Sequence, residues 1–184
     1  IQARNNSERL PNKLFYKIQN YNLLEILIKR LKKLKIKNKI VIATTNNRCD
    51  DKIKSFAIKN KINYFRGSTK DVLSRFQKTA KKFNFSNIIR ITSDCPLIDV
   101  EIIQKMVQIY ENNDYDLITN TSPPTFPDGF DCTIIKASTL NSVDSTKLSK
   151  EDREHVTLFF KKKKKIKKIK LLLKRKKFKV QVIC

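Results

Sequence analysis

Two apolar patterns alternate along the chain. Continuous apolar runs, KIVIAT at 39–44, INYFR at 62–66, NIIRIT at 87–92, DLITN at 116–120 and DCTII at 131–135, have the character of strands buried on both faces. Between them, apolar residues recur every three or four positions: Leu24, Leu27, Ile28, Leu31 and Leu34; Ile53, Phe56 and Ala57; Leu73, Phe76, Ala80 and Phe83; and Ile103, Met106, Val107 and Tyr110. Each set is the buried stripe of one helix. Asp50 and Asp51 stand where the second helix opens, and Ser68 and Asp71 form a Ser-x-x-Asp box before the third. Asp99 is placed to cap the fourth, and Ser149 with Glu151 and Asp152 marks a later helix start. Repeated crossovers of this length predict a parallel sheet with helices on both faces. Ile1 to Ala3 is the end of a first strand, and the chain begins without Met, so the start of that strand is expected to be missing.

The charge is unevenly placed. Of the net +24, thirteen Lys or Arg residues lie between Lys161 and Lys179, a stretch without acids. The predicted organisation is therefore one domain over 1–160 and a divergent Lys-rich tail over 161–184. Such a tail suits a nucleic-acid or anionic-membrane contact, but it also resembles the product of a frameshift in an adenine-rich tract, which is the preferred reading. Its single aromatic, Phe178, argues against a nucleic-acid partner, since single-strand binders interleave several stacking residues with their cations. Cys49, Cys95, Cys132 and Cys184 show no C-x-x-C spacing, and His155 is the one histidine, which argues against zinc and against a secreted disulfide framework. No apolar run has bilayer length and no signal-peptide pattern is present, so the chain reads as cytoplasmic with no membrane partner.

In a doubly wound sheet, ligands sit outside the carboxyl ends of the strands. The polar residues there are Arg4, Asn5, Asn6, Ser7, Arg9 and Lys13 after the first strand, Thr44, Thr45 and Asn46 after the second, Arg66, Gly67 and Ser68 after the third, and Thr92, Ser93 and Asp94 after the fourth. Pro11 keeps the first loop from becoming ordinary helix, and its cations and free N–H groups suit a polyphosphate. Asp94, at the tip of a buried strand, is the residue best placed for Mg²⁺. Arg75 lies off the Leu73–Phe76 face of its helix, either toward the pocket or in solvent. SPPTFPDGFD at 122–131 is a turn-rich loop whose Asp128 and Asp131 are candidate substrate or second metal ligands; Asp128 sits in strong turn chemistry, and Asp131 is the better functional candidate.

The order A-R-x-x-S-x-R-L-P-x-K directly after a strand resembles the nucleotide-binding signature of the sugar cytidylyltransferases, which include the CMP-sialic acid and CMP-Kdo synthetases and the spore-coat polysaccharide type. ATT at 43–45, FRGSTKDVLSRF at 65–76, RITSDCPLID at 90–99, FPDGFD at 126–131 and REHVT at 153–157 extend the resemblance to about Phe160. Asn6 and Ser93 stand where the family has Gly. The resemblance implies a three-layer α/β/α nucleotide-diphospho-sugar transferase (Rossmann-like) fold with a mostly parallel sheet. It further implies CTP and a sugar as substrates, Mg²⁺ as cofactor, and release of pyrophosphate. By the same resemblance Ala3, Arg4, Ser7, Arg9, Lys13, Ala43, Thr44, Arg66, Ser68 and Asp71 surround the nucleotide, with Arg9, Lys13 and Asp94 as the catalytic group. Asp94 and Asp131 are then the metal ligands, and Asp128, Asp131, Arg153 and His155 the acceptor side. A homodimer is an open expectation. Two alternatives stay open: a glycosyltransferase or another nucleotidyltransferase of similar fold, and a basic nucleic-acid-binding protein.

Overall fold

The computed structural model describes residues 1–5, 10–37, 39–122, 124, 126–162 and 168–170. The expected tail at 161–184 lies outside them except for residues 161–162 and 168–170. After the first strand segment come a short hairpin, β1 (Lys17–Ile18) and β2 (Tyr21–Asn22), then α1 (Leu23–Leu31) and β3 (Val41–Thr45). The chain continues through α2 (Asp51–Lys59), β4 (Asn63–Gly67), α3 (Val72–Phe83), β5 (Asn87–Arg90), α4 (Val100–Glu111) and β6 (Leu117–Thr119). β7 (Thr133–Lys136), α5 (Ala137–Asn141), α6 (Lys150–Glu154), α7 (Leu158–Lys162) and β8 (Lys168–Lys170) complete the order.

The helices start where their caps dictate. Asn22 and Glu25 form a reciprocal capping box on α1, Asp99 accepts from the N–H groups of Glu101 and Ile102 at α4, and Ser149 accepts from Asp152 N at α6. At α3 the cap is Asp71, which accepts from Ser74 N at 2.8 Å, and Ser68 instead accepts from Asp71 N at 3.0 Å. The helix begins at Val72, so the hydroxyl of the Ser-x-x-Asp box is one turn too early to be the cap. α2 and α3 are each followed by left-handed backbone at a non-glycine residue, Lys61 (φ 53°) and Asn84 (φ 52°).

β3 pairs in parallel with β4, while β5, β7, β6 and β8 form a second ladder in that order. Gln2 stands between the two. Its N–H donates to Ile91 O at 2.8 Å and its carbonyl accepts from Ser93 N at 2.9 Å; on the other side Ala43 N donates to Ile1 O at 2.8 Å and Ala3 N to Ala43 O at 3.2 Å. Both bridges are parallel. The sheet differs from the expected mostly parallel one, because β7 runs antiparallel to both β5 and β6. The described residues of its connection from β6 hold no helix, and a strand that returns without a crossover runs backwards. β8, within the segment expected as a tail, pairs in parallel with β6.

Alternate residues of the strands serve cores on opposite faces. Ile118 and Ile134 pack with Leu27 and Leu31 of α1 and the Ile103, Met106, Val107 and Tyr110 stripe of α4. Leu117 and Ile135 pack with Val72, Leu73 and Phe76 of α3. Ala3 and Ile42 join Leu24 and Ile28 of α1 and the Ile53, Phe56 and Ala57 stripe of α2. Among the described residues no helix is long and apolar enough to cross a membrane.

Tyr110 closes the α4 side, its hydroxyl donating to Asn87 Oδ1 at 2.8 Å; burial, then Asp116 and Asp114, push its pKa up to about 12. A phenol that stays neutral longer when folded contributes stability that is whole below pH ~10 and is lost as pH rises toward the folded value. Tyr110→Phe is expected to cost about 1 kcal/mol at neutral pH and to flatten the alkaline fall in stability, measured by urea melts between neutral pH and about 12.

Candidate active site

Ala3 is buried and Arg4, which follows it, is exposed at the carboxyl edge of the sheet. The loop beyond is held at its root. Asn5 N donates to Asp50 Oδ1 at 2.6 Å, Asn5 Nδ2 donates to Asn12 Oδ1 at 2.6 Å and to Cys49 O at 3.3 Å, and Asn12 N donates back to Asn5 O at 3.2 Å. Asn12 takes the left-handed conformation (φ 59°) that its short amide tolerates. Asp50, 1% exposed, also accepts from the Thr45 hydroxyl. The pattern marked Asp50 as a helix opener; folded, it is the buried anchor of the loop. What the sequence did show was a carboxylate five residues after a strand end, a weak signal because helix starts favour Asp for other reasons. Ser7 and Arg9 lie outside the described residues.

Lys13 begins a single 3₁₀ turn over Lys13–Phe15, and its Nζ stands 3.7 Å from Asp94 Oδ2. Burial opposes charge at Asp94, but hydrogen bonding from Thr92 and the field of Lys13 outweigh it and hold the carboxyl below its ordinary range. The group is thus an ionised carboxylate, more than half exposed and facing a cation.

On the neighbouring strands, Ala43 and Thr44 are buried in β3, and Thr44 Oγ1 has no hydrogen-bond partner. Arg66 uses its donors on protein: Nε to Thr45 O at 2.8 Å, Nη2 to Asn47 O at 2.8 Å and Nη1 to Asp51 Oδ1 at 2.6 Å. It braces the turn after β3. Ser68 and Asp71 form the turn into α3 described above. Arg75, for which the sequence left pocket and solvent open, is not solvated: it is 1% exposed, with Nη1 donating to Ser68 O at 2.7 Å. Gly67 makes room for it, since a Cβ there would stand 2.9 Å from Arg75 Cγ.

A polar cleft of about 650 Å³ opens on the other side of Asp94. Asp128, Asp131 and His155 line it together with Arg90, Thr92 and Thr133. Asp128 lies in a turn, Phe130 N donating to Pro127 O at 3.3 Å and Gly129 taking φ 93°. Asp131 is exposed and is not part of that turn. His155 is exposed at the end of α6, whereas Arg153 is half-buried with its Nε unpaired. Burial pushes the Cys132 thiol far up and that of Cys95 up, so neither is poised as a thiolate. Arg90 hydrogen-bonds Gln2 Oε1 at 2.8 Å, while burial lowers its pKa against the fields of Asp94 and Asp131.

Among the described residues no three His, Cys, Asp or Glu converge as an all-protein metal cage. Two carboxylates on one cleft, Asp94 and Asp131, are what Mg²⁺ uses when phosphates and water supply its remaining ligands. The donor set therefore fits that ion.

The cytidylyltransferase family model matches residues 1–181. The chain belongs to the cytidylyltransferase family. It is 37% identical over 157 residues to an uncharacterised protein of Methanocaldococcus jannaschii, covering 85% of this chain and 63% of that protein. It is 34% identical over 166 residues to the spore coat polysaccharide biosynthesis protein SpsF of Bacillus subtilis, covering 86% of this chain and 67% of SpsF. The chain thus spans roughly two thirds of the length of these relatives. The solved structure of a cytidylyltransferase from Leptospira borgpetersenii superposes with a TM-score of 0.88 at 34% identity, covering 95% of this chain and 74% of that one. This cytidylyltransferase accordingly shares the α/β nucleotidyltransferase fold of that structure.

Asp50→Ala removes both acceptor oxygens, so the buried Asn5 N and the Thr45 hydroxyl both lose this partner. The expected loss is about 2 kcal/mol in urea melts. An unchanged melting midpoint would remove Asp50 as the anchor.

Proposed function

We propose that this chain transfers CMP from CTP to a hydroxyl of an acidic or otherwise unusual surface-polysaccharide sugar, releasing pyrophosphate, in the cytoplasm. The observation that carries this is the meeting of the basic loop with a strand-end carboxylate, Lys13 against Asp94, on the rim where Arg4, Thr44 and the Ser68–Asp71 turn also lie. The family membership and the three-layer α/β/α nucleotide-diphospho-sugar transferase architecture that it implies support the same reading.

In this reading Arg4, Arg9 and Lys13 neutralise and orient the triphosphate, and Ala3, Ser7, Ala43, Thr44, Arg66, Ser68 and Asp71 form the rest of the nucleotide pocket. Asp94 and Asp131 would hold Mg²⁺, which when bound offsets phosphate charge. Asp128, Asp131 and His155, which line the cleft, are assigned with Arg153 to the sugar. Catalysis is then mainly alignment of the sugar oxygen with the α-phosphorus and neutralisation of the departing pyrophosphate, with no side chain assigned as general base. A homodimer is the assembly state to be measured.

Pyrophosphate release measured across the four NTPs with candidate acidic sugars is expected only with CTP and only with divalent metal. Release with another NTP, or with none, would displace the assignment. Lys13→Met removes one charge-assisted phosphate contact and is expected to weaken CTP binding about tenfold in calorimetry. Asp94→Asn is expected to abolish the metal-dependent activity with little change in melting temperature; unfolding of that variant would make Asp94 structural.

A further inference from the structure

Arg75 is a buried charge that this reading leaves unused. Its guanidinium makes one hydrogen bond, to Ser68 O, and its Nε is buried without an acceptor. No described carboxylate lies within ion-pair distance of it. Burial draws its pKa down to about 10, with Asp50 and Asp71 favouring the charge and Arg4 and Arg90 opposing it. The guanidinium is thus bonded to the Ser68–Asp71 turn while the charges of Asp50, Arg4 and Arg90 act on it.

The nearby carboxylates are already engaged: Asp50 accepts from Asn5 N and the Thr45 hydroxyl, and Asp71 accepts from Ser74 N. A guanidinium taken out of water without a counter-ion is costly, and a structural arginine in such a place normally has its donors satisfied. The flat, multi-donor shape of the group matches an oxyanion. Its bond to Ser68, in the turn that the reading above puts against the nucleotide, makes the bound substrate the source of that anion.

We propose that Arg75 is an oxyanion-binding residue of the site, donating with Arg4 to an oxygen of an anionic group of the substrates, either a phosphate of the nucleotide or the carboxylate of an acidic sugar. The proposal rests on the nucleotidyl-transfer reading above. Gly67 is part of the arrangement, because a methyl at that position would press on the Arg75 stem.

The test uses the full chain, with Arg75→Lys and Arg75→Gln variants titrated by calorimetry with CTP, pyrophosphate and cytidine and assayed for the KM of the sugar. A phosphate ligand predicts at least a tenfold loss of CTP and pyrophosphate affinity with cytidine affinity kept. A carboxylate ligand predicts unchanged CTP affinity and at least a tenfold rise in sugar KM. If CTP and cytidine affinities fall together, Arg75 merely props the Ser68 turn and the proposal is overturned; unchanged values overturn it as well. Should both substitutions prevent folding, Gly67→Ala displaces Arg75 while leaving its charge, and the same pattern of losses is expected there; its absence overturns the proposal. A wild-type chain that binds no nucleotide sinks the parent reading instead, and this is seen before any variant is compared.

Discussion

Backbone hydrogen bonds on both sides of Ile1–Ala3 join two ladders that are otherwise separate, β3–β4 and β5–β7–β6–β8. With Gln2 opposite both Ala43 and Thr92, the three strand ends finish at one level. In that register Arg4 leaves the sheet level with Thr45 on one side and with Asp94 on the other. The Lys13–Asp94 contact, the anchoring of Asn5 by Asp50 and the bond from Arg90 to Gln2 all depend on that register. A slip of one residue would turn Ala3 out of the core and every rim side chain to the wrong face.

Residues of like charge have divided the work. Arg66 has its donors on protein acceptors and stiffens a turn, while Lys13 is half-exposed opposite a carboxylate and Arg4 faces solvent. The carboxylates divide in the same way. Asp50 is buried and uses its oxygens to hold a cationic loop in place, and Asp94 keeps its charge toward the cleft. Braced residues behind exposed charges are the arrangement that positioning of a polyanion requires.

The apolar stripes and runs made α1 to α4, β3 to β7 and their order legible, because burial on both faces leaves a strong periodic signal in Ile42, Ile118 and Ile134 and in the α4 stripe; the β1–β2 hairpin, α5, α7 and β8 carry no such signal. Strand direction was not legible for β7, since it depends on whether the 120–132 connection contains a helix, and proline and glycine spacing only weakly reports that. The rim residues were visible as polar breaks after apolar runs, and Asp94 stood out by its place. The anchoring role of Asp50 was not visible, because a helix start already explains a carboxylate there, and for Arg75 the helix periodicity left pocket and solvent open. Only the long-range contacts of Asp50 with Asn5, and the exclusion of water from Arg75, distinguish them.

The left-handed corners after α2 and α3 bear on how far this protein can be hardened. Lys61 and Asn84 hold these corners in a chain with two glycines, Gly67 and Gly129, and side chains bearing a Cβ are strained there by up to about 1 kcal/mol each. Both lie away from the rim, and neither side chain takes part in the site. The molecule thus keeps a reserve of heat resistance that glycine substitutions at these two positions would release without altering its chemistry.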